Sequence, residues 1–122
     1  MSELALIIGV GPGLSSSLAR LCASNKMKVI LAARDINKLD SLKKEIDAIT
    51  ISCDASDINS VKKLFEEVDK IGIPNLVIYN PSMRVKGSIT EIDPIQAQNA
   101  INVTCLGAFL VSQEASKRML KR

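Results

Sequence analysis

Hydrophobic and polar positions follow two alternating regimes along the chain. Four short apolar runs, Leu4–Val10, Lys28–Ala33, Ala48–Cys53 and Leu76–Asn80, have strand length, and the first, second and fourth are nearly continuous. Runs of that kind mark strands buried on both faces, as in a parallel sheet. The segments between them repeat every three to four residues. Leu14, Leu18, Leu21 and Cys22 mark one face of a first predicted helix. Leu39, Leu42 and Ile46 mark a second, with Asp35 placed to cap its start. Val61, Leu64, Phe65 and Val68 stripe a third, from about Asp57 to Ile71, with Lys62, Lys63, Glu66 and Glu67 outside. An irregular stretch, PSMRVKGSITEIDP, then leads into a final helix predicted from Pro94 and Ile95 to about Leu120. Proline suits a first helical turn, and Asp93 is its natural cap.

The order β-α-β-α-β-α-β-α predicts right-handed crossovers and an α/β, Rossmann-like, doubly wound parallel sheet of about four strands with flanking helices. Residues 1–122 read as one domain, with no internal repeat, low-complexity tract or interdomain linker. Ligands of such sheets bind beyond the carboxyl ends of the strands, where strand order reverses. The first β–α turn therefore lies at the expected binding edge.

That turn reads IIGVGPGLSSSLAR, with glycines at Gly9, Gly11 and Gly13 followed by serines at 15, 16 and 17. Glycine there lets backbone N–H groups approach a pyrophosphate, which a helix N-terminus favours electrostatically. The spacing is not GxGxxG, since the last position falls on Leu14 or Ser16. GxxxGxG fits better, with Ser15 in place of the third glycine. No Gly-Lys-Ser/Thr follows, which excludes a P-loop. The second strand ends VILAARD, putting Ala33 where an acid would hold a ribose 2′-OH, with Arg34 beside it. An arginine there accommodates a 2′-phosphate, so NADP(H) is favoured over NAD(H).

Composition narrows the chemistry further. With two Phe, one Tyr and no Trp, the core must be built from Leu, Ile, Val and Ala. A net charge of +3, part of it in the terminal KRMLKR, without aromatic–basic interleaving, gives no expectation of nucleic-acid binding. The absence of histidine excludes Ser-His and Cys-His nucleophile pairs within the chain and any Cys/His zinc pattern. Cys22, Cys53 and Cys105 are scattered, which suits apolar packing in a reducing compartment. The apolar start LALIIGV has Glu3 in place of a basic flank and Gly-Pro-Gly in place of a cleavage site, and no run has membrane-spanning length. The expected setting is cytoplasmic, without membrane attachment.

Together these segments resemble the short-chain dehydrogenase/reductase family, along most of the chain and in the right order. GVGPGLSSSLA looks like the family's cofactor loop, implying that Gly9, Gly11, Gly13, Leu14 and Ser15 face the cofactor. LAARDINKL looks like its NADP-preferring second strand. CDASD resembles the acidic segment after strand three, where Asp54 would reach the adenine with Ala55 beside it. VIYNPS resembles the Asn-Asn-Ala-Gly segment, with Asn80 kept. INVTCLGAFLVSQ resembles the helix bearing the asparagine of the catalytic tetrad, which maps to Asn102.

The departures are as informative. Pro81-Ser82 replaces Ala-Gly, and the Ser15 hydroxyl either donates to a phosphate oxygen or sets its Cβ against the pyrophosphate; the spacing supports both. The family's tyrosine acts as general acid/base, with a lysine four residues on and a serine orienting substrate. Here Tyr79 precedes Asn102 and is followed four residues on by Met83, so Tyr79 reads as structural. The resemblance implies an NADP(H)-dependent oxidoreductase moving hydride between nicotinamide and a small-molecule carbonyl or alcohol. These residues are expected to be its cofactor-binding part, inactive alone; the competing expectation is a non-catalytic dinucleotide-binding or redox-sensing module. The apolar breadth of the helix over 95–120 suggests burial on more than one side, by homo-oligomerisation as in the family or by further sequence.

Overall fold

The computed structural model of the chain describes residues 2–121. Four parallel strands, β1 (Leu4–Ile8), β2 (Lys28–Ala33), β3 (Ile49–Ser52) and β4 (Leu76–Tyr79), form one sheet in the order β3-β2-β1-β4. In β1, Ile7 pairs with Leu31 of β2 on one side and Ile78 of β4 on the other. Every residue of β1 is buried, as its continuous apolar run predicts. The reason is that both faces are covered. Leu4, Leu6 and Ile8 face a core with Val61, Leu64, Phe65 and Val68 of α3 (Ile58–Asp69) and Leu110 and Val111 of α5 (Gly107–Met119). Ala5 and Ile7 face the other core, with Ala19 and Cys22 of α1 (Leu14–Ser24) and Leu42 of α2 (Asp40–Ile46).

β2 matches its apolar run, and the other three strands fall slightly short of theirs. Gly9 leaves β1 at a φ of 84°, so the strand stops at Ile8 rather than Val10. The helix caps follow the sequence. Asp57 accepts from the N–H groups of Asn59 and Ser60 at 2.8 and 3.3 Å, and Asp93 accepts from that of Ile95 at 3.0 Å. Asp35 caps a 3₁₀ turn over Ile36–Leu39, which precedes α2 and already carries the buried Leu39.

Three expectations are corrected. Leu14 and Leu21 are exposed, at 64% and 59%; α1 instead buries Ser15, Ser16, Ala19 and Cys22. Small side chains let this helix lie close on the sheet, so its inner face is not its most apolar one. Cys22 and Cys53 are packed inside, but Cys105 is exposed. The final helix is not uniform either. It runs as α4 (Pro94–Ile101), a five-residue π turn over Asn102–Leu106, and α5. Within the described residues it is covered on one side only, leaving Ile95, Ile101 and Phe109 exposed. No helix among the described residues is long and apolar enough to cross a membrane.

The wide turn is anchored from the sheet. The Tyr79 hydroxyl donates to the carbonyl of Val103, and the N–H of Gly107 bonds back to the carbonyl of Asn102, five residues earlier. Arg118 docks α5 on α3 through Asp69, at 2.6 and 2.9 Å, with its guanidinium 5.0 Å from the centre of the Phe65 ring. A Cβ on Gly107 would collide with the Tyr79 hydroxyl and lie 2.7 Å from the carbonyl oxygen of Ala55. Helix propensity alone would make Gly107→Ala stabilising by about 1 kcal/mol. The collision reverses the sign: the variant is expected to lose about 1–3 kcal/mol, read from the urea unfolding midpoint. An unchanged or raised midpoint would contradict this packing.

Candidate functional site

Strand order reverses between β1 and β4, because β1 connects to β2 on one side while β4 returns on the other. The carboxyl ends of the strands there border a cleft of about 400 Å³. The ladder holds its floor: the Gly9 N–H donates to Ala32 at 2.9 Å, the Asn80 N–H to Ile8 at 2.9 Å, and the Cys53 N–H to Ala33 at 3.0 Å. Across the sheet the strand ends therefore present Asp54, Arg34, Gly9 and Asn80 in that order. Neighbouring parallel strands lie about 4.8 Å apart, so this row spans roughly 15 Å.

The glycine turn has two sides. Facing outward, Gly11 and Gly13 have only open space where a Cβ would stand. Gly13 is the cap residue of α1, yet no side chain caps that helix and its first turn carries no acid. The leading N–H groups of α1 are thus left for an anion. Facing inward, Ser15 donates to the carbonyl of Gly9 at 3.2 Å and accepts from Asn80 Nδ2 at 2.8 Å. Ser16 donates to the carbonyl of Gly11. A Cβ on Gly9 would run into the Pro81 ring, and its positive φ disfavours any side chain.

At the other end, Arg34 lines the cleft with an exposed side chain that makes no ion pair among the described residues. Asp35 is occupied as a cap, accepting from the Asn37 N–H at 3.1 Å. Asp54 is half engaged: its Oδ1 accepts from the Ser56 N–H at 3.0 Å and the Ser56 hydroxyl at 2.7 Å, while its own N–H donates to Ser60 at 2.8 Å. Burial pushes the Cys53 thiol up, against a weaker pull from Ser60.

Six of the residues singled out from sequence meet here: Gly9, Gly11, Arg34, Asp54, Ala55 and Asn80 all line the cleft. Gly13, Leu14 and Ser15 do not. Gly13 caps α1, Leu14 opens it exposed, and Ser15 is 2% exposed behind the turn. Neither open alternative for Ser15 describes this free chain, because its one hydroxyl hydrogen is held by Gly9 and its side chain points inward. Asn102 opens the π turn, half-buried, and it is the next residue, Val103, that reaches the cleft wall. Sequence reasoning missed Lys38, Met83 and Val103, which also line it. Lys38 enters from the 3₁₀ turn after Asp35, where no helical spacing links it to Arg34. Met83 sits in irregular chain and Val103 on a distorted helix, where no periodicity points.

Comparison with known proteins agrees with this geometry. The family model for short chain dehydrogenases matches residues 3–122. An uncharacterized oxidoreductase of Thermotoga maritima is 27% identical over 98% of the chain, which covers 49% of that protein. A 3-dehydrosphinganine reductase of Arabidopsis thaliana is 28% identical over 99% of the chain and 38% of its own length. Among solved structures, a variant of actinorhodin polyketide ketoreductase with NADPH superposes with a TM-score of 0.92 at 23% identity, covering 99% of the chain and 49% of the other. A short-chain type dehydrogenase/reductase from Mycobacterium marinum gives 0.91 at 22% identity, covering 98% and 51%. The chain spans about half the length of several of the relatives it matches.

Tyr79 has the environment of a structural phenol. Burial first, and the nearby Cys53 and Asp54 second, push its pKa up to about 12, above the ordinary value near 10. The chain has one tyrosine and no tryptophan, so tyrosinate absorbance reads this residue cleanly. In the folded chain the phenolate should form only near pH 12. The folded state binds the proton more tightly, so stability falls as pH rises from about 10 to about 12. Ionisation of the native chain near pH 10, without unfolding, would contradict the burial of the Tyr79 hydroxyl beside Cys53 and Asp54.

Proposed function

The chain belongs to the short-chain dehydrogenase family, and we propose that it is the cofactor-binding part of an NADP(H)-dependent oxidoreductase acting on a small-molecule carbonyl or alcohol. The observation that carries this reading is the row of strand ends. The uncapped start of α1 and the open sides of Gly11 and Gly13 suit a pyrophosphate. One strand over, Arg34, with Lys38 on the following turn, suits a 2′-phosphate. Beyond it, Asp54 and Ala55 lie where the adenine would end. On the opposite side of the cleft, Asn80 would flank the nicotinamide end. Bound in this way, the nicotinamide supplies or accepts hydride; the residues of this chain bind and orient it.

Asn102 would support a proton relay from the π turn beside the cleft. The serine, tyrosine and lysine of the family's chemistry have no counterparts here. Tyr79 is spent on Val103, and Met83 stands where the lysine would follow it. The exposed Ile95, Ile101, Leu106 and Phe109 support homo-oligomer contacts through the helix over 95–120. Free thiols at Cys22, Cys53 and Cys105 accord with a cytoplasmic setting.

Titration against NADPH and NADH tests the reading. NADPH should bind the wild-type chain more tightly, and Arg34→Ala should weaken NADPH about tenfold while leaving NADH nearly unchanged, the scale of one charge-assisted hydrogen bond. Equal affinities in the wild type would overturn the 2′-phosphate assignment. No carbonyl substrate should turn over with these 122 residues alone, and steady-state NADPH oxidation would overturn the division of labour.

A further inference from the structure

The serine in place of the third glycine has a role of its own. Ser15 is 2% exposed and absent from the cleft wall, yet its hydroxyl lies between the two loops that border the cleft. It donates to the carbonyl of Gly9 on the β1 side and accepts from Asn80 Nδ2 on the β4 side. The contact has a directional consequence. A turn with three glycines in five residues has many backbone states, and some would aim carbonyl oxygens at a bound anion. With Ser15 holding Gly9 and Ser16 holding Gly11, those two carbonyls are turned inward. Pro81, packed where a Gly9 Cβ would stand, closes the same junction from the β4 side.

We propose that Ser15 is a positioning residue for the dinucleotide: through Gly9 and Asn80 it fixes the glycine turn in its anion-accepting form before ligand arrives, without touching the ligand. This rests on the dinucleotide-binding reading above. The two departures from the family pattern then form one device. Ser15 supplies the hydroxyl that a third glycine lacks, and Pro81 stiffens the loop that the hydroxyl is tied to. Preorganisation of this kind raises affinity by removing the ordering cost from the binding step.

The test uses the full chain as wild type, Ser15→Ala, Asn80→Ala and the double variant, with Ser15→Gly as a second probe should alanine disturb α1. In ligand-free protein, amide exchange at Val10 and Ser17, whose N–H groups donate to Ala32 at 3.4 Å and Gly13 at 3.2 Å, should quicken about tenfold in Ser15→Ala, while β1 amides hold and the thermal midpoint falls by no more than a few degrees. NADPH affinity should fall about fivefold to tenfold, the scale of one lost hydrogen bond. The double variant should lose less affinity than the product of the two single losses, because the two residues share one contact. Unchanged loop exchange in both Ser15 variants, or affinity losses that multiply in the double variant, would overturn the proposal. Should the wild type bind neither NADPH nor NADH, the dinucleotide reading fails, and the positioning of a dinucleotide fails with it. The exchange rates then show separately whether the Ser15 contact holds the turn.

Discussion

Gly9 leaves β1 at a φ of 84° with Pro81 packed against the place of its missing Cβ, and most of the cleft geometry follows from that contact. No other residue type could take both the dihedral and the proximity. The contact requires the strand leading to Pro81 to lie beside β1, which the bond from the Asn80 N–H to Ile8 achieves. It also requires β2 on the opposite side, where Ala32 receives the Gly9 N–H. The glycine turn and the reversal of strand order are therefore one feature seen locally and globally. A binding crevice opens where the crossovers part, and the same residue that ends the strand begins the cradle.

The second wall depends on a similar close approach. Gly107 lets α5 come so near the sheet that the Tyr79 hydroxyl and the Ala55 carbonyl fill its side-chain space. The helix widens into a π turn just before it, and Tyr79 occupies the carbonyl of Val103 within that turn. Asn102 begins this distortion, so the residue that the family resemblance marks for catalysis stands where the helix is least regular. Its placement comes from the sheet beneath it rather than from its own helix.

How much of this was legible depended on which force decided each feature. β1 and β2 were legible because burial on both faces writes itself as unbroken apolar runs, and β2 was bounded at Lys28 and Ala33 by sequence alone; the equally unbroken run of β4 was misread as buried, since that strand is exposed or half-buried. The caps at Asp35, Asp57 and Asp93 were legible or implied because capping is local chemistry. The face of α1 was misread because close packing selected Ser15, Ala19 and Cys22 for size, while Leu14 and Leu21 stayed outside. The π turn was invisible because its cause, Tyr79, lies on a strand 24 residues away from Val103. In the cleft, residues in the turns directly after the strands were found, whereas Lys38 and Val103 enter by tertiary placement. The inward role of Ser15 needed coordinates, since a hydroxyl at that spacing serves a phosphate or a backbone carbonyl equally well.

β4 shows why these side-chain contacts gather where they do. It is short, it has a ladder partner on one side only among the described residues, and its four residues are exposed or half-buried. A strand so placed is the least secure in the sheet, yet it carries Tyr79 and leads into Asn80 and Pro81. Hydrogen bonds, all but one of them involving a side chain, tie it down along its length. Asn75 before it exchanges two bonds with Leu4, at 2.8 and 2.9 Å; Tyr79 reaches Val103; Asn80 reaches Ser15; and the Met83 N–H reaches Thr104 at 3.4 Å. Each is worth about 1 kcal/mol at most, less than a full second ladder. They act, however, on the residues that shape the cleft, so positional order is concentrated there even though the strand itself is an edge.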